Sequence, residues 1–142
     1  MKYYMFLFVG LFCIIGSAQN PSDTEMGFAV IEKVPVYPGC EMLESNEDLK
    51  NCMFRKISEH IGENIDLSFA GELGLEGRQR IEVLFTIDKH GNITDIEAQG
   101  AHPRLEKEAN KVMMSLPRMT PGEQKGKPVG ILYSLPIVFD VE

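Results

Sequence analysis

The constraint that most limits this chain lies near its C-terminus, in the stretch from Pro128 to Phe139. Val129, Ile131, Tyr133, Leu135, Ile137 and Phe139 alternate there with Gly130, Leu132, Ser134, Pro136 and Val138. A period of two lays one apolar row on one face of a sheet, so the stretch reads as a strand. Pro136 has no amide hydrogen, and a strand that carries it is most easily placed at a sheet edge. An edge strand either needs a cover or serves as a docking site.

The rest of the chain supplies the elements around that strand. Ser45 ahead of Asn46-Glu47-Asp48 forms a helix-capping arrangement. Leu49, Met53, Ile57 and Ile61 follow every four residues, with Cys52 and Phe54 alongside, and Gly62 can end the helix. Residues 64–77 hold Gly71, Gly74 and Gly77 among Leu67, Phe69, Ala70, Leu73 and Leu75, which predicts a short helical turn and a packed loop. Ile81, Val83, Phe85 and Ile87 alternate with polar neighbours. Asp88 to Asn92 interrupts, and Ile93 to Ala98 resumes, giving a β-hairpin with Gly91 or Asn92 at a positive-φ position. Pro103 opens a second helix with Leu105, Ala109, Val112 and Leu116 as its buried stripe, and Pro117 stops it. Residues 119–127 read as a loop into the last strand.

The order helix, strand, strand, helix, strand predicts an α+β two-layer domain with both helices on one face of a three-stranded sheet. The crossover through the second helix makes the last strand parallel to the second and antiparallel to the first. The expected order is 2-1-3, which puts the last strand at an edge by an argument independent of Pro136.

Residues 1–18 carry one Lys, an apolar run of about 13 residues and then small residues ending at Ala18, the pattern of a cleavable export signal. The alternative is a retained membrane anchor facing the periplasm, although the run falls short of the ~20 residues needed to span a bilayer. Residues 19–35 then form a short leader and residues 36–142 the domain. Cys13 lies within the signal, without the small residues of a lipidation site. Cys40 and Cys52 are the only pair left after cleavage, and an oxidising compartment favours a disulfide between them, with free thiols or a redox couple as the alternatives.

Composition and motifs exclude several functions. The 142 residues carry a formal charge of -7, or -8 once Lys2 leaves with the signal, which argues against nucleic acid as a partner. His60, His90 and His102 lack the spacing of a helical metal site. Glu106 and Glu108 read as part of a solvated helix face. Met113, Met114 and Met119 read as core or loop packing before an adaptable apolar patch. The glycines at 71, 74 and 77 follow no strand and make no phosphate-binding fingerprint, and no nucleophile motif occurs. We expect no catalytic residues, no metal and no cofactor.

Several stretches together resemble the C-terminal domain family of TonB, in the form common in Bacteroidetes. They are Tyr37-Pro38-Gly39-Cys40-Glu41, Cys52, Leu73-Gly74-Leu75-Glu76-Gly77, Phe85-Thr86-Ile87-Asp88, Gly91-Asn92-Ile93, Leu105-Glu106-Lys107-Glu108-Ala109, Leu116 to Gly122 and Tyr133-Ser134-Leu135-Pro136-Ile137. The resemblance covers roughly residues 36–139. It implies a small sheet with helices on one side and a non-enzymatic periplasmic module. Such a module pairs by strand addition with a short N-terminal segment of outer-membrane receptors, in support of TonB-dependent transport. Full-length members add an inner-membrane helix and a Pro-rich stalk coupled to a proton-driven motor. This chain departs with a cleavable N-terminal run, a short linker and Leu67-Ser68-Phe69-Ala70 where many members have a Tyr-Pro pair. If Pro136 turns its nitrogen outward, Gly130, Leu132 and Ser134 present their amides outward too and become the expected pairing positions. The competing use of the edge is self-association, as a homodimer or scaffold.

Overall fold

The computed structural model describes residues 31–142. The expected export signal and cleavage site, Cys13 and most of the expected leader lie outside the described residues. Helix α1 spans Asn46–Asn64 and begins where the capping pattern places it: the Ser45 hydroxyl accepts from the Asp48 amide at 3.1 Å. Its buried residues are Leu49, Cys52, Met53, Ile57 and Ile61. Gly62 does not end the helix. It continues for two more residues and closes at Ile65, whose amide donates to the Ile61 carbonyl at 2.8 Å. A 3-10 turn, Ala70–Leu73, follows and ends on Gly74 in the left-handed region.

Strand β1, Gly77–Ile87, and β2, Ile93–Gln99, form the expected hairpin. Gly91 supplies the positive φ of its turn, at 84°. The Asp88 carboxylate braces that turn by accepting from the amides of His90 and Asn92, both at 2.9 Å. These bonds, that to Asn92 foremost, hold its carboxyl below the usual carboxylate range. A bulge in β2 sits opposite Phe85, where Asp95 adopts a φ of 50°. Helix α2, Pro103–Met114, starts on the Pro, with the His102 ring nitrogen accepting from the Arg104 amide at 3.1 Å. Leu116, expected on its buried stripe, falls beyond the helix end and is half-buried.

The loop expected over 119–127 contains a strand pair. β3, Gly122–Gln124, and β4, Lys127–Val129, form a two-residue hairpin through Lys125 and Gly126, whose φ values of 52° and 71° suit a primed turn. The terminal strand is thereby divided. Pro128 and Val129 belong to the small hairpin, Gly130 is the break, and β5 runs Ile131–Val141. Residues ahead of α1 join the same ribbon: Lys33 bridges Glu123, Val36 bridges Thr120, and Pro35 is fully buried.

The main sheet has the order β2-β1-β5, with β1 antiparallel to both neighbours, as expected for a two-layer α+β domain. Its helix-side row is Ile81, Val83, Phe85 and Ile87 from β1, all fully buried, against Ile131, Tyr133, Leu135 and Ile137 from β5. Each such side chain contributes roughly 1.5–3 kcal/mol through burial, which holds the register of β5 against a slip that would turn the row outward. Cys40 and Cys52 form a disulfide that ties the segment before α1 to its second turn. Met113 and Met119 are core residues, whereas Met114 is 75% exposed. Glu106 and Glu108 are half-buried rather than fully solvated. Their carboxylates accept from the amides of Gly100 (3.3 Å) and Asp66 (3.0 Å) and so pin the loops at either side of α2.

Candidate functional site: the open edge of the sheet

β5 has β1 on one side only, and among the described residues no strand pairs with its other side. The opposite edge, β2, is shorter and distorted by its bulge. β5 pairs with β1 through eleven continuous residue pairs, from Gly77 with Val141 to Ile87 with Ile131. Flat, regular edges of this length accept an added strand; bulged ones resist it.

Pro136 stands opposite Glu82. Its nitrogen cannot donate to β1, so it belongs among the positions whose amides point away from β1. Leu132, opposite Thr86, and Ser134, opposite Leu84, share that phase by strand alternation. Both are exposed, Leu132 by 54%. Gly130 lies just past the last rung, between β4 and β5, where a Cβ would come into ordinary contact with Thr86 and Asp88. The structure therefore brings Leu132 and Ser134 onto one run of the edge and sets Gly130 at its entrance.

Sequence reasoning did not find the surface beside this edge. On the helix side, α1 runs along β5 and leaves a groove of about 450 Å³. Ser58, Ile61 and Gly62 form one wall, Ile65 and Leu67 one end, and the Leu135–Phe139 stretch of β5 the other wall. A second concavity, about 280 Å³, lies beside Tyr133 against Ile31, Val34, Asn46, Glu47 and Lys50. Phe54 stands between them, with its ring 5.5 Å from that of Tyr133. The signal was present in the spacing: Lys50, Phe54, Ser58 and Ile61 recur every three or four residues, which is one face of a helix. Burial raises the Tyr133 hydroxyl pKa to about 12.

The histidines are engaged locally. His60 Nε2 lies 2.8 Å from the Ser115 hydroxyl, which links the ends of the two helices, and His102 caps α2. Among the described residues no group of three or more His, Cys, Asp or Glu side chains could hold a metal ion. No described helix is long and apolar enough to cross a membrane.

An antiparallel three-stranded sheet, two helices on one face and a long open terminal edge define a small two-layer α+β domain. The family described as Gram-negative bacterial TonB protein C-terminal matches residues 70–141, just over half of the 142-residue chain, and the chain belongs to that family. The family is a transport-associated domain of the Gram-negative envelope whose members interact with outer-membrane receptors. The disulfide and α1 precede the matched residues. No curated protein matches the chain.

Proposed function

We propose that this protein is a non-enzymatic, periplasmic binding module that recognises an extended segment of outer-membrane receptors by adding it as a fourth strand along β5. The observation that carries this reading is the eleven-residue edge with Pro136 on it. A partner backbone satisfies outward-facing amides and carbonyls there, and Pro136 interrupts the donor series and so limits the register. Gly130, Leu132 and Ser134 are the proposed pairing positions. Export by cleavage near Ala18 would deliver the domain to the compartment in which the disulfide forms; a retained N-terminal segment would instead hold it at the inner membrane as an energy transducer.

The test is titration of synthetic peptides copying receptor N-terminal segments into wild type and Leu132→Pro. At 132 a proline removes an outward amide while the inward pairing stays intact, so binding is lost and thermal stability is nearly unchanged. Equal affinity of the two proteins contradicts the site. The same uncapped edge favours one competing reading, pairing with a second copy. Sedimentation separates them: a concentration-independent dimer abolished by Leu132→Pro supports self-association.

A further inference from the structure

We infer that the groove between α1 and β5 selects the partner strand by one large, uncharged apolar side chain seated beside Gly62 and Ile137. This inference rests on strand addition at β5 and specifies its selectivity. A strand laid along β5 turns every second side chain toward the helices. At Ile137 the helix layer leaves room for such a side chain in the apolar groove. Its lining contains no charged side chain, so a carboxylate or ammonium entering it would lose water without gaining a partner. Among the described residues, the segment ahead of α1 does not use it: residues 33–36 bridge residues 120–123 instead. The groove is also continuous with the unpaired main chain of β5, since residues Leu135–Phe139 form its wall and part of that edge.

The spacing of the two concavities sets a pattern for the partner. Tyr133 and Ile137 are four residues apart, or about 13 Å along a strand. The corresponding stretch of α1, from Lys50 to near Ile61, is about 16 Å long. A partner side chain beside Ile137 therefore has a companion four positions away at the Tyr133 concavity, rimmed by Glu47 and Lys50, and a neighbour two positions away facing Phe54. The selected sequence is an apolar anchor, a residue that tolerates an aromatic neighbour two positions along, and a polar-tolerant position two further.

Gly62 makes the groove testable. It lies in the last turn of α1, and a Cβ there meets nothing within 4 Å. Gly62→Phe fills the groove and replaces a poor helix former with a better one, and Ser58→Phe is a second filling variant. With alanine-scanned receptor peptides, one apolar position is expected to dominate. Its replacement by Ala weakens binding about tenfold or more, the effect of one large apolar side chain. Gly62→Phe should weaken the parent peptide by a similar factor and leave the alanine peptide within about twofold. A flat scan with unaltered affinity for Gly62→Phe and Ser58→Phe, in peptides still lost on Leu132→Pro, overturns the inference and leaves strand addition standing. Peptides indifferent to Leu132→Pro overturn both. Filling variants that change the mass in solution but not peptide affinity assign the groove to a second copy, and also overturn it.

Discussion

The rings of Phe54 on α1 and Tyr133 on β5 meet at 87°, with centroids 5.5 Å apart. The pair fastens the helix to the edge strand between the two concavities, and so sets the width of the groove on either side. Phe54 is half-buried, so Phe54→Ala is expected to cost about 2 kcal/mol, part from lost burial and part from the aromatic contact. Urea denaturation measures the loss. The same variant admits water to Tyr133 and should bring its pKa down toward the usual phenol value.

Alkaline titration of the wild type tests the burial of Tyr133 directly. Its hydroxyl pKa is raised by desolvation to about 12, so the folded state holds the proton more tightly than the unfolded chain. The associated stability is fully present below pH ~10 and is lost as pH rises toward 12. The part of the phenolate absorbance that Tyr133→Phe removes should therefore develop late and coincide with unfolding. If that part forms at the ordinary pH in a still-folded protein, the burial is contradicted.

Gly91 and Gly126 both sit at positive φ but should respond differently to alanine. A Cβ at Gly91 would overlap the Met119 carbonyl, whose own amide donates to the Gly91 carbonyl at 2.9 Å, whereas a Cβ at Gly126 meets nothing within 4 Å. Gly126→Ala is expected to cost about 1 kcal/mol, the left-handed penalty alone. Gly91→Ala should exceed 3 kcal/mol because backbone must move. Thermal unfolding of the two variants checks the contrast.

Removal of the disulfide has a predictable size. Cys40 and Cys52 are separated by 12 positions and both are buried, so Cys40→Ser with Cys52→Ser should cost about 2–4 kcal/mol. Reduction of the native protein under unfolding conditions should shift the denaturation midpoint by a matching amount.

Local chemistry made much of this fold legible. Ser45 and Pro103 announce the helix starts through groups that act within one turn. The alternation from Ile81 to Ile87 announces a half-buried strand, and Pro136 announces an edge. The β3–β4 ribbon was not legible, because three-residue strands built from Gly, Glu, Gln, Lys, Pro and Val carry no periodicity. Gly62 misled for a related reason: glycine ends a helix when its φ turns positive, and at Gly62 it does not. The groove escaped notice altogether. It depends on the angle at which α1 passes β5, a long-range property that no window of neighbouring residues encodes.

The unbroken pairing of β1 with β5 has a mechanical consequence. Hydrogen bonds in such a ladder lie perpendicular to the strands, so a pull along β5 loads its rungs together instead of peeling them one by one. A strand added on the far side would be joined in the same manner. The β1–β5 ladder is proportioned as a lap joint, with β5 the loaded plate and β1 its backing.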